Sequence, residues 1–190
     1  MGNVSQSLRK KDIMRYNVAQ LLKESTGQIR QHTLREDISQ LDPDLTPLTT
    51  LDGSAQMLRT ADGVLVMAKL HTTLELTCVR CLEKFSYPLN FKLEEEFRPT
   101  IDIVTGATLP LTADDDTATR IDEHHELDLA EVVRQDLLLN IPQNPICRSK
   151  CLGLCPNCGK NWNEGLCDCK HDEIDPRWQA LAELLNKDKE

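Results

Sequence analysis

Cysteine dominates the chemistry open to this chain. Its eight cysteines form four close pairs: Cys78/Cys81 and Cys155/Cys158 as C-x2-C, Cys147/Cys151 as C-x3-C, and Cys167/Cys169 as C-x-C. Structural zinc takes four ligands in a tetrahedron, and thiolates are among its commonest donors. Eight thiols can therefore close two sites. A C-x2-C turn aims two sulfurs at one point. In CPNCGK (155–160), Pro156 stiffens that turn, and Gly159 lets the backbone curl back so that its amides face the sulfurs.

Intact pairs can be shared between two sites in three ways. Joining Cys155/Cys158 to Cys167/Cys169 closes the shorter loop at the smaller entropic cost. That leaves Cys78/Cys81 with Cys147/Cys151, a site that would staple two distant parts of the chain. His171 stands as an alternative to one sulfur of the cramped C-x-C pair. Disulfides, redox thiols and a buried free pair remain open as other uses. Disulfides are rare in reducing cytosol. A redox C-x-x-C sits where a strand feeds a helix, whereas alternating strand flanks Cys78/Cys81 on both sides. Catalytic zinc keeps one position for water, and these cysteines divide evenly into closed sites. The expectation is one or two structural Zn2+ ions and no catalytic residue. No phosphate-binding glycine loop, H-E-x-x-H or nucleophile elbow is present. His124 and His125, set among Asp122, Glu123 and Glu126, read as part of a solvated loop, as does the run Asp114-Asp115-Asp116. His71 reads as an exposed side chain on the polar side of a strand.

The elements that position these groups follow from periodicity. Residues 64–78 alternate, with Val64, Val66, Ala68, Leu70, Leu74 and Leu76 on one side and Lys69, His71, Thr73 and Glu75 on the other. Period two marks a half-buried strand. Residues 85–97 alternate in the same way, with Phe85, Tyr87, Leu89, Phe91, Leu93 and Phe97 on one side; Pro88 suggests an edge or a bulge. The two strands form an antiparallel hairpin with Cys78 and Cys81 at its tip. Residues 54–60 read as a further strand before a turn at Ala61-Asp62-Gly63, and 41–53 as loop. Helices are expected at 17–25, where Asn17 caps a face of Val18, Leu21 and Leu22, and after Asp128, with a stripe of Leu129, Val132, Val133, Leu137 and Leu138. A last helix is expected from Asp175 and Pro176 onward, with Trp178, Leu181, Leu184 and Leu185 on one face. The predicted fold is α+β: an antiparallel sheet of hairpins with flanking helices and a C-terminal zinc-knuckle module. Its parts are a flexible leader (1–13), a core (14–146) with a mobile acidic loop (99–126), and a cysteine-rich module with its helix (147–190).

Charge limits the partners. The formal net charge is −9, distributed as +3 over residues 1–40 and −9 over 92–136. An acidic chain is a poor non-specific binder of nucleic acid, because phosphate contacts need cations. A local basic contact or a basic protein partner remains compatible with it. No apolar run approaches a membrane span, and the first residues carry no apolar signal segment. The expectation is a soluble cytoplasmic protein with no membrane partner and no small-molecule substrate.

Taken in order, NVAQLL, LTCVRCLEKF, ELDLAEVVRQDLLLNIP, CRSKCLGLCPNCGKNWNEGLCDC and DPRWQALAELL resemble the bacterial YceD family, the large ribosomal RNA subunit accumulation proteins. The resemblance runs from Met14 onward. It implies a non-enzymatic role in large-subunit rRNA accumulation, processing or ribosome assembly, and metal binding at the eight cysteines. Its partner would be precursor rRNA, through a basic face such as Arg15, Lys23, Arg30, Arg35, Arg80 and Lys84, or a basic ribosomal or assembly protein. The competing reading is a zinc-stabilised interaction adaptor outside ribosome biogenesis.

Overall fold

The computed structural model describes residues 14–110 and 116–169. The expected leader, Asp114, Asp115, His171 and the expected final helix lie outside the described residues. One seven-stranded sheet organises the rest, in the order β1-β7-β6-β5-β4-β3-β2. Its centre is the hairpin of β4 (Val64–Thr77) and β5 (Lys84–Pro99), in register from Val64 opposite Phe97 to Thr77 opposite Lys84. On one side lie β3 (Leu51–Arg59) and β2 (Ile29–Glu36). On the other lie the short β6 (Arg120–Ile121), β7 (Glu126–Asp128) and β1 (Arg15–Asn17). Two helices flank the sheet: α1 (Ala19–Lys23) and α2 (Ala130–Asn140).

The sheet is mixed, which corrects the antiparallel expectation. β6 runs parallel to the end of β5, Arg98 opposite Arg120 and Pro99 opposite Ile121. The chain leaves β5 at Pro99, loops out and returns in the same direction. Residues 99–126 are thus partly ordered into the sheet. They also hold an Ile101–Thr108 bridge and a turn in which the Asp102 carboxylate accepts from the Val104 and Thr105 amides. The sheet also curls. β1 and β2 stand at opposite ends of the strand order, yet the rings of Tyr16 and His32 lie 5.2 Å apart.

Curling encloses one face, and the alternation of the long strands decides which. Val64, Val66, Ala68, Leu70 and Leu74 point inward against Leu89, Phe91, Leu93 and Phe97, all buried. Val18, Leu21 and Leu22 of the α1 segment and Leu129, Val132, Val133 and Leu137 of the α2 segment close the same core, while Leu138 turns outward. Asn17 does support α1, its side chain accepting from the Ala19 amide at 3.1 Å. The Asp128 carboxylate likewise accepts from the Ala130 amide at 2.9 Å. Thr72, buried among apolar side chains, is satisfied by donating to the Thr49 carbonyl at 3.2 Å. No helix among the described residues is long and apolar enough to cross a membrane.

Pro88 sits opposite Thr73 in mid-strand without breaking the ladder. The Thr73 carbonyl is already taken by the Leu48 amide on the other side of β4. This is therefore a non-hydrogen-bonded pair, and β5 has no further neighbour at that level, so the missing N–H leaves nothing unsatisfied. Glycine is required at position 63. A Cβ there would stand 2.0 Å from the Phe97 carbonyl oxygen. Gly63→Ala is expected to destabilise the fold by about 2 kcal/mol through forced displacement of β5, read as a lowered urea midpoint at unchanged m-value.

Candidate metal centres

Two groups of four cysteines come together, each with its four sulfurs within 4.8 Å of one another: Cys78, Cys81, Cys147 and Cys151, and Cys155, Cys158, Cys167 and Cys169. All eight are free thiols.

The first centre forms at the tip of the β4–β5 hairpin. Cys78 follows β4 directly, and its carbonyl accepts from the Leu82 amide while its amide donates to the Glu83 carbonyl, both at 2.9 Å. The second pair arrives on the segment after α2, where Pro142 and Pro145 end the helix and lead the chain across the tip. The Val79 amide donates to the Pro145 carbonyl at 2.9 Å, and the Arg80 guanidinium to the Cys151 carbonyl at 3.0 Å. Gly153, at φ +79°, lets the chain pass close; a Cβ there would stand 3.1 Å from the Arg80 carbonyl oxygen. Cys78 and Cys151 sulfurs are 3.8 Å apart, those of Cys81 and Cys147 3.7 Å. A tetrahedron with metal–sulfur bonds of about 2.3 Å has sulfur–sulfur edges of about 3.8 Å. Two of the six edges therefore already match the spacing a four-coordinate metal needs, and the other four are within 4.8 Å.

The second centre is local. The Cys155 amide donates to the Lys160 carbonyl and the Gly159 amide to the Cys155 carbonyl, both at 2.9 Å. This repeats the bonding of Cys78, Leu82 and Glu83. The two C-x2-C turns are thus the same backbone device, with Gly159 at φ +73° where Leu82 stands at φ +59°. Leu82, its side chain exposed, takes a left-handed conformation that favours glycine, and the Leu82–Cys78 and Cys78–Glu83 backbone bonds bracket it. The amides of Asn157 and Cys158 both point at the Cys155 sulfur at 3.4 Å, and the Trp162 indole N–H at that of Cys167, also 3.4 Å. These are the donors a thiolate ligand uses.

The two centres differ in exposure. In the first, Cys78, Cys81 and Cys151 are buried; in the second, Cys158 is exposed and Cys167 and Cys169 half-buried. Asn163 connects them. It lies in the loop of the second centre, yet its side-chain amide donates to the Cys151 sulfur at 3.3 Å while its oxygen accepts from the Leu152 amide. Asn161 ties the same loop to the hairpin through Glu83 at 2.9 Å. Neither asparagine has a signature in the sequence beyond lying between cysteines.

Thiol acidity follows the geometry. Burial raises the Cys78 pKa, but the backbone amides of Cys147, Cys81 and Arg80 outweigh it and bring the thiol down to about 6. The Asn163 side chain lowers Cys151. Burial first, then the sulfurs of Cys81, Cys151 and Cys78, push Cys147 up to about 12. In the second centre the Cys158 sulfur, with burial next, pushes Cys169 up to about 12. Four negative sulfurs this close repel one another, and a dication among them removes that repulsion.

The other expected site residues do not converge. Arg30 pairs with Glu24 at 2.6 Å, Arg35 with Asp52 at 3.6 Å, and Lys84 with Glu75 at 2.6 Å. Arg15 is held by Glu126 and Asp128. Arg30 and Arg35 lie on β2, Arg80 and Lys84 at or beside the hairpin tip, and Lys23 on α1. His124 is exposed, and the His125 carbonyl accepts from the Val18 amide, which makes the latter part of the α1 turn.

A family model described as "Large ribosomal RNA subunit accumulation protein YceD" matches residues 66–185, which include both cysteine groups and nearly all of the β4–β5 hairpin. The chain belongs to the YceD family. Among similar proteins, an uncharacterized protein of Mycobacterium tuberculosis is 30% identical over 135 residues, 71% of this chain and 62% of that protein. The uncharacterized protein YlbN of Bacillus subtilis is 33% identical over 118 residues, 60% of this chain and 62% of its own length. A chloroplastic protein of Arabidopsis thaliana, named as a YCED homolog in large ribosomal RNA subunit accumulation, is 37% identical over 62 residues, 33% of this chain and 19% of its own. The matched region thus spans somewhat under two thirds of the bacterial relatives. No solved structure matches the chain.

Asn163→Ala removes the donor to the Cys151 sulfur. Metal affinity at the first centre should fall by about 10–100-fold, the usual cost of losing a ligand's outer partner. Competition against a chromophoric chelator reads this; unchanged affinity would show that Asn163 plays no part.

Proposed function

We propose that this protein is a non-catalytic accessory factor in the accumulation of large-subunit ribosomal RNA, its fold fixed by two structural zinc ions. Membership of the YceD family carries this reading. The Arabidopsis relative bears that role in its name. Zinc is favoured by the donor set: two closed groups of four thiols, one with two edges at tetrahedral spacing, leave no ligand position for a reacting water. Cys78, Cys81, Cys147 and Cys151 would hold one ion and Cys155, Cys158, Cys167 and Cys169 the other.

In this role the first zinc acts on architecture. It fastens the segment after α2 to the hairpin tip, and Asn161 and Asn163 then seat the second module on that base. The product is a rigid presenting surface, with rRNA precursor or a ribosomal or assembly protein as partner. A second reading, a zinc-stabilised protein-interaction adaptor, draws on the exposed Val79, Leu82, Leu152 and Leu166 around the centres.

Deletion of the gene should lower mature large-subunit rRNA relative to small-subunit rRNA, with precursor accumulating, as read by rRNA profiling and sedimentation. Rescue by the wild-type chain and not by the Cys78→Ser/Cys81→Ser variant is expected. An unchanged rRNA ratio on deletion sinks the proposal and leaves the adaptor reading.

A further inference from the structure

The outer face of β3, β4 and β5 is exposed at Ser54, Gln56, Lys69, His71, Asn90 and Lys92, and its register places cations on it. Lys69 of β4 stands directly opposite Lys92 of β5. Both point outward and are exposed. Like charges directly opposite across a ladder destabilise it. Neither lysine joins any of the ion pairs among the described residues, although Glu94 follows Lys92 on the same face. This differs from Arg30, Arg35 and Lys84, each neutralised by a neighbouring carboxylate.

The surrounding rows fit the same reading. Ser54 pairs with Lys69 from β3. One step toward the tip, His71 stands opposite Asn90. A shallow hollow of about 300 Å³ opens beside the lysines, lined by Ser54, Gln56, Met67, Lys69, Lys92 and Glu94. The two cations, set among neutral donors with Glu94 as the one carboxylate of the hollow, suit phosphate oxygens. No Phe, Tyr or Trp lies on the outward side of β2 to β5, so stacking of bases is not offered there.

We infer that the outer face of β3, β4 and β5, centred on Lys69 and Lys92, binds the phosphodiester backbone of RNA without reading its sequence. The inference deepens the proposed function and rests on it for the identity of the RNA. It also removes the conflict with a charge of −9. On this face Asp52, opposite His71, is paired with Arg35 and Glu75 with Lys84, and Glu94 is the one carboxylate lining the hollow, where the two lysines outnumber it. Contact through few cations should be weak and steeply salt-dependent, with a slope of about −0.7 per phosphate neutralised on a single strand.

The test uses the full-length protein and a fluorescein-labelled 20-nucleotide single-stranded RNA of mixed sequence, titrated by anisotropy across a potassium chloride series. Lys69→Glu and Lys92→Glu should each weaken binding by about tenfold or more at 0.1 M salt. Lys69→Gln/Lys92→Gln should flatten the salt slope by about 1.4 and melt at or above the wild-type temperature, since the repulsive pair is gone. Lys23→Glu, with the same charge change on α1, should bind within about twofold of wild type. Wild-type affinity in the Lys69 and Lys92 variants overturns the inference. So does equal loss in Lys23→Glu, which would reflect net charge, or wild-type protein that ignores RNA and captures an acidic protein through this face. Expression of Lys69→Glu/Lys92→Glu in the deletion strain separates the two claims. Full rescue of large-subunit rRNA refutes the surface while sparing the function. An unaltered rRNA ratio in the deletion strain refutes the function while the binding contrast among variants still stands.

Discussion

The convergence of four sulfurs at the end of one hairpin is the constraint on which the structure depends. β4 and β5 run well past their neighbours. β3 accompanies β4 only as far as His71, and above that level residues 46–49 support its edge through the Pro47–Leu74 bridge, with the Leu48 amide donating to the Thr73 carbonyl and the Glu75 amide to the Thr46 carbonyl. Beyond Glu75 only β4 and β5 remain paired, and two-stranded ribbons are marginal in water. The Cys78, Cys81, Cys147 and Cys151 group ties that ribbon to a segment some seventy residues away. The described chain after α2 takes its position from this tie. The helix ends, the prolines lead the chain across the tip, and the second centre is seated through Asn161 and Asn163. A local knuckle such as the second centre could close on its own. It would have no fixed relation to the sheet without the first.

The two centres divide the work by burial. The first is enclosed and joins distant elements, as a permanent fastening must. The second is open and draws all four cysteines from fifteen residues of chain. Both use one C-x2-C turn, but at different cost. Gly159 adopts its left-handed conformation freely, while Leu82 is held there against the ordinary preference of its side chain. The hairpin turn therefore depends more on its surroundings than does the turn of the tail.

Much of this was legible in the sequence because the signals were strong and local. Alternation along β4, clearest from Ala68 to Leu76, specified the strand and its inward face. The loop-closure argument paired the cysteines in the groups the structure brings together. What escaped was short or neutral in pattern. β2 buries only Leu34 fully among eight residues, so it carries no apolar alternation. β1, β6 and β7 have two or three residues each and are strands only because tertiary pairing makes them so. The parallel return of β6, and with it the mixed sheet, depends on where a loop re-enters, which no periodicity encodes. Asn163 was invisible for a similar reason: its role is set by the loop that delivers it to Cys151. Lys69 and Lys92 read as ordinary polar positions along their separate strands, and only the register sets them face to face.

The central claim is that two metal ions, each held by four thiolates, fix this architecture. Native mass spectrometry of the purified full-length chain, compared with its mass under denaturing conditions, tests it directly. The account predicts a folded species carrying two divalent ions, zinc under the proposal, with all eight thiols blocked to alkylation until a chelator is added. A folded chain that carries no metal, or whose Cys78, Cys81, Cys147 and Cys151 are alkylated while it remains folded, would contradict it.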